Sequence, residues 1–322
     1  MTESSKGHGY VANHPRHIPI QGWWDITRRV WRQAKDDKLT LVTAGVSFYF
    51  LLALFPALGA LISIYGLFVA PEEVGRHFSD MLIILPADTH QLVLTQIQHF
   101  VSKSETTLSL GAISSTLLAV WSTSKGAQAI IIACNIAYKE QRTRSFFKQL
   151  LVRIFFTVSA IGFILLALAV IALLPVAVDL MGLNQYQDWL LRVIFWPLLL
   201  VFFNTTLIAI YRYGPTRKHA KWRWITPGST LSTCLWFTAS GLFSFYLANF
   251  GSYDETYGSL GGVVILLMWL YLSAFIILLG AKFNAALELQ TERDTTVGPT
   301  REIGERGAYV ADHIERNNKK SI

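Results

Sequence analysis

Five residues between positions 109 and 138 could do chemistry together. Ser114, Trp121, Lys125, Gln128 and Asn135 lie at offsets of 0, 7, 11, 14 and 21, which puts them on one stripe of an α-helix. A cation and three other polar groups on one face of an apolar helix are costly in hydrocarbon. The stripe therefore predicts a polar interior shared with neighbouring helices. With Asn204 from a later apolar stretch, it outlines a substrate-binding groove of Ser114, Lys125, Gln128, Asn135 and Asn204 beside the first, second and last apolar segments. A second candidate is the run Tyr257-Gly258-Ser259-Leu260-Gly261-Gly262. A helix N-terminus at Tyr257, Gly258 and Gly261 would offer backbone N–H groups to an anion from outside, and close packing explains the same glycines equally well.

Lys125 has no acidic partner inside the apolar segments, and an unpaired charge in low dielectric must shed its proton or find acceptors. Three roles fit. It snorkels to the headgroups, although it stands 13 residues before Tyr138, roughly 20 Å along a helix axis. It bonds Ser, Asn and carbonyl groups of neighbouring helices as packing glue. Or it meets a mobile anion, such as a lipid phosphate. Arg153 and Arg192 lie near segment ends and suit headgroup anchoring. Asn135, Asn204 and Asn249 suit interhelical hydrogen bonds, worth about 0.6 kcal/mol each in membranes.

The elements that must position these groups follow from hydropathy. The chain has 322 residues, 52% of them hydrophobic and 15% charged, with a mean hydropathy of +0.39. Soluble domains carry about 25% charged residues. Residues 1–19 are polar and read as a disordered tail without a signal peptide. Residues 20–38 combine Trp23, Trp24 and Trp31 with Arg28, Arg29, Arg32 and Lys35, the pattern of an interfacial amphipathic helix. Six apolar spans follow at about 41–70, 109–138, 150–178, 189–213, 225–250 and 258–287, so that 39–288 forms a transmembrane bundle. Pro56 predicts a kink in the first span. Residues 71–107 carry charges and Pro86 and read as two short external amphipathic helices, and 289–322 is a polar tail.

Loop charge sets the orientation. Seven Lys/Arg precede the first span, four fall in 139–149, five in 212–223 and six after Glu288. The three intervening connections carry two, none and none. This alternation predicts both termini in the cytoplasm, and it requires the weakly apolar 109–138 segment to cross. The net charge of +7 and pI near 9.4 are thereby assigned to membrane orientation and anionic lipid rather than to nucleic acid. Cys134 and Cys234 lie inside apolar stretches without metal or disulfide spacing. The expected spans contain no Asp, Glu or His, which argues against a carboxylate proton relay. No catalytic motif is present, so neither an enzyme nor a metal or cofactor site is expected.

Three blocks of the chain resemble the YihY/BrkB family of bacterial inner-membrane proteins, once mislabelled ribonuclease BN. They are LTLVTAGVSFYFLLALFP at 39–56, WSTSKGAQAIIIACNIAY at 121–138, and YRYGP at 211–215 followed by the long run from Pro227 to Leu287. Together they cover roughly residues 25–290. Lys282 stands where the family commonly carries Glu. The resemblance implies an all-α, six-helix protein of the bacterial inner membrane, with suspected lipid export and a role in envelope integrity, but no agreed catalytic residues. The resulting expectation is a transporter or flippase-like protein for an anionic amphiphile. Its partners are anionic membrane lipids, with homo-oligomerisation or envelope partners open. The alternative is a non-transporting scaffold of an envelope complex, with an ion channel or a ribonuclease ranked below both.

Overall fold

The computed structural model describes residues 8–65, 94–95, 110–141, 144–159, 162, 187–250 and 260–316. Every long element among them is a helix. They are α1 (Ile20–Asp36), α2 (Leu39–Tyr65), α3 (Leu110–Ala137), α4 (Gln187–Tyr213), α5 (Trp222–Phe250), α6 (Gly261–Glu288) and the short α7 (Tyr309–Asp312). A further helical stretch covers 146–159, and no strand occurs among the described residues. Helices α2 to α6 occupy five of the six expected apolar segments. The expected third span beyond 162, and nearly all of the expected external helices at 71–107, lie outside the described residues.

By length and composition alone, Trp222–Asn249 and Gly261–Glu288 suffice to cross a bilayer. A third span results if Ile20–Asp36 and Leu39–Leu54 count as one broken span bent by 68°. That bend differs from the expected kink. Pro56 lies inside α2, whereas the break falls at Asp37–Lys38, where Lys38 adopts a left-handed φ of 49°. The outer surface carries large apolar side chains on every long helix, among them Phe48, Leu52, Trp121, Val201, Phe237, Phe245 and Met268. Such continuous apolar exposure suits lipid and not water.

Helix α6 is the centre of the bundle. Near its end almost every residue from Ile276 onward is buried, whichever face it occupies. It packs against α1, α2, α3 and α5. The crossing with α5 is close because glycines face each other: a Cβ on Gly280 would fall 2.6 Å from Tyr211 Oη and 2.7 Å from Gly228 O. Polar groups line this seam and satisfy one another. Tyr211 Oη donates to Ile277 O at 2.7 Å, Ser232 Oγ to Ile276 O at 3.0 Å and Trp236 Nε1 to Ser273 Oγ at 3.0 Å. Asn284 bonds α5 on both sides of Pro227, donating to Ile225 O and accepting from Gly228 N. Its amide thereby meets backbone groups at the point where the proline breaks the ladder.

Residues 8–18 correct the expectation of a disordered leading tail. Tyr10, Ala12 and Ile18 are buried. Ala12 and Ile18 join Ile26, Trp224, Ala286 and Leu287 in one apolar cluster. Their carbonyls are also occupied: Glu292 N donates to Tyr10 O at 2.7 Å and Thr291 Oγ1 to Ala12 O at 2.7 Å. Low hydropathy suggested disorder, but the segment needs only three apolar anchors because the chain after α6 supplies its hydrogen bonds. That chain is itself ordered to Arg316, with Ala308, Val310 and Ala311 buried.

The α5–α6 crossing yields a direct test. Gly280→Ala should lower the thermal unfolding midpoint in detergent, at an overpacking cost of about 1–3 kcal/mol. Gly241→Ala, where a Cβ meets nothing within 4 Å, should leave the midpoint in place or raise it.

Candidate functional site

Small residues decide which face of α3 turns inward. Gly126, Ala129, Ala133 and Ala137 are buried, and a Cβ on Gly126 would meet Phe50 and Ala53 of α2 at 3.4 Å. The polar stripe consequently points the other way. Trp121 is 61% exposed and Ile132 45% exposed, and Lys125 and Gln128 between them are partly buried. The Lys125 ammonium lies 5.2 Å from the Trp121 ring centroid, a cation–π contact. Gln128 Oε1 is buried without a hydrogen-bond partner among the described residues.

The other expected site residues do not converge on Lys125. Asn135 holds the turn after α4, accepting from Thr216 N at 2.6 Å. Asn204 binds α5, with Thr233 and Ser229 each at 3.3 Å. Gly261 is buried at the start of α6. The Ser114 side chain, Tyr257 and Gly258 lie outside the described residues. Among the described residues Lys125 and Gln128 therefore stand as a lateral pair, and Asn135 and Asn204 make packing hydrogen bonds elsewhere.

Among the described residues, charged side chains gather instead at the end of the bundle where the first and last described segments meet. Lys282, fully buried on α6, donates to the Asp37 carboxylate at the α1–α2 bend and to Ala137 O at 2.9 Å. Ala137 is the last residue of α3, so one ammonium joins three helices and offsets an orphan C-terminal carbonyl. Six residues on, Glu288 pairs with Arg217 at 2.7 Å, with side-chain exposures of 0% and 2%. Glu288 also accepts from Thr295 Oγ1 at 2.6 Å. Burial opposes the guanidinium charge, but the attraction and hydrogen bond of Glu288 outweigh it and raise the Arg217 pKa. Arg217 in turn lies over the Tyr138 ring.

A third cluster ties the last described turn to the first helix. Glu315 meets Arg29, Arg32 and Gln33 of α1, and Lys139 just after α3. Partial burial works against its charge, but Arg29, Lys139 and Arg32 outweigh that and hold its pKa below the ordinary value. These acidic partners escaped sequence reasoning because Asp37, Glu288 and Glu315 all lie outside the apolar spans. The readable signal was Lys282 itself, a second lysine inside an apolar run.

The family model described as virulence factor BrkB matches residues 30–303. The ribonuclease-like protein YfkH of Bacillus subtilis is 30% identical over 254 residues, covering 76% of this chain and 88% of that protein. A UPF0761 membrane protein of Tolumonas auensis is 27% identical over 272 residues, 80% of this chain and 83% of its own. Another, from Psychromonas ingrahamii, is 24% identical over 274 residues, with shares of 83% and 90%. No solved structure matches.

Two outcomes follow from the ion clusters. Asp37→Asn leaves the Lys282 ammonium buried without its counter-charge and should destabilise the fold by about 3–5 kcal/mol. The double variant Asp37→Asn/Lys282→Met should recover most of that loss in a thermal or denaturant melt. For Glu315 the folded pKa is depressed, so its contribution is complete above the ordinary value of about 4.5 and is lost as pH falls through the lowered folded value. Amide protection at 308–316, relative to the intrinsic exchange rate at each pH, should fall over that acid range, and Glu315→Gln should remove this dependence by leaving protection low throughout.

Proposed function

The chain belongs to the virulence factor BrkB family, and from that premise we propose that this all-α membrane protein moves an anionic amphiphile, such as a lipid, across the bacterial cytoplasmic membrane. In this reading six helices span the bilayer, both termini are cytoplasmic and the activity supports the envelope. The activity is not enzymatic and needs no cofactor. Alternating loop charge supports the orientation.

One observation carries the transport reading. Lys125 stands near the middle of α3, on the face turned away from its packed side. A lysine at such a depth costs roughly 2.5–3.5 kcal/mol on insertion scales. With the Trp121 ring beneath its ammonium, Lys125 makes a lateral polar step. A headgroup phosphate could use that step while its acyl chains remain in lipid. The α4–α5–α6 seam offers no comparable path, because its hydroxyls and amides are bonded across tightly packed helices.

The scaffold reading draws support from one end of the bundle, where residues 8–18, 289–316 and α7 form a folded surface. The two readings separate in vesicles containing a fluorescent anionic phospholipid. Lys125→Glu should slow its transbilayer movement at least about tenfold, the effect of roughly 1.4 kcal/mol, and Lys125→Ala should slow it less. Wild-type vesicles no faster than protein-free ones, or full activity in both variants, would reject the step and favour the scaffold.

A further inference from the structure

Tyr213, the last residue of α4, is a meeting point of cations that the transport reading leaves unused. Arg144 Nη2 donates to Tyr213 O at 2.8 Å and to Pro215 O at 2.6 Å. The Arg212 guanidinium lies 5.7 Å from the Tyr213 ring and 4.3 Å from that of Trp222. His219 packs edge-on against Tyr213 at 5.1 Å. Burial lowers the His219 pKa, and Arg212, Arg144 and Arg217 all add to that repulsion. The nearby acids are committed: Glu288 pairs with Arg217, and Glu140 accepts from Tyr309 N at 2.7 Å.

Arg144 and Arg212 each keep a donor to spare. Arg144 Nη1 and Arg212 Nε are buried without a hydrogen-bond partner among the described residues, an arrangement that costs free energy until an acceptor arrives. The other side of Tyr213 is apolar. It lines a recess of about 480 Å³ together with Leu151, Val152 and Phe155. The helical stretch bearing these residues presents Phe146, Phe147, Leu151 and Phe155 outward. Tyr213 thus separates an apolar recess from guanidiniums that carry unpartnered donors, and a molecule reaching both sides of it would need one chemistry, a hydrocarbon chain attached to a phosphate.

We propose that the recess beside Tyr213 seats an anionic glycerophospholipid, its phosphate on Arg144 and Arg212 and one acyl chain along Leu151, Val152 and Phe155. This rests on the membrane setting of the proposed function and not on transport itself. The free donors favour an anionic headgroup over a zwitterionic one. The apolar recess favours a lipid over free phosphate.

Native mass spectrometry of the full-length protein in a neutral detergent tests the site, using dioleoylphosphatidylglycerol, dioleoylphosphatidylcholine and inorganic phosphate as probes. The wild type should retain phosphatidylglycerol about tenfold more tightly than phosphatidylcholine, the scale of one charge-assisted contact. Leu151→Trp, which fills the recess from an exposed position, and Arg212→Gln should each weaken that retention by about the same factor. A thermal melt verifies folding, and if Arg212→Gln unfolds then Leu151→Trp alone decides. Equal retention of the two lipids overturns the proposal, as does unchanged phosphatidylglycerol binding in Leu151→Trp. Displacement by inorganic phosphate together with an inert Leu151→Trp would assign a plain anion site and also overturn it. Vesicles that fail to move lipid while phosphatidylglycerol stays bound would reject transport alone.

Discussion

A buried ammonium needs a counter-charge, and in this protein that need organises the bundle. Lys282 reaches low-dielectric surroundings only because Asp37 and the carbonyl end of α3 meet it there. The chain must therefore turn sharply at Asp37–Lys38, bringing α1 back over α6 and starting α2 beside it. Glu288 imposes the same demand six residues later and fixes the turn after α4 through Arg217. Because these requirements come from different sides of one helix, α6 is enclosed all round at that end. Its central place follows from its charges as much as from its hydropathy.

The seam between α5 and α6 obeys a second rule. Lipid gives helices little hydrophobic reason to associate, so contact area and hydrogen bonds must hold them. Gly228 and Gly280 allow backbone approach, and that approach brings Ser232, Tyr211 and Asn284 within reach of carbonyls. The polar residues are consequences of the close crossing and also its fasteners. A block of α4, α5 and α6 joined by side-chain hydrogen bonds results.

Much of the helical architecture was legible in the chain. Apolar runs long enough to span, and the small residues within them, located α2 through α6 to within a few residues. The site was less legible. The periodicity of Ser114, Trp121, Lys125, Gln128 and Asn135 suggested a shared face, of which Trp121, Lys125 and Gln128 stand near one another while Asn135 bonds Thr216. It could not reveal that Gly126, Ala129 and Ala133 would claim the packed side and turn that face outward. The partnerships of Asp37, Glu288 and Glu315 were invisible because each joins residues far apart in sequence. Composition likewise hid the order in residues 8–18, where the carbonyls of His8, Tyr10 and Ala12 find their donors beyond position 289.

The clasp between α1 and the last described turn carries a consequence for biosynthesis. Arg29 bonds the backbone carbonyl of Glu315 across a separation of 286 residues, and chains emerge from the N-terminus at roughly 5–20 residues per second. For tens of seconds the nascent protein holds α1 with Arg29 and Gln33 lacking their partner at 315. Helix α6, which supplies the carbonyl of Ala286 to Arg29, also arrives late. Formation of the early helices must precede closure by a long interval, so the first helix stays incomplete until residue 315 has been made.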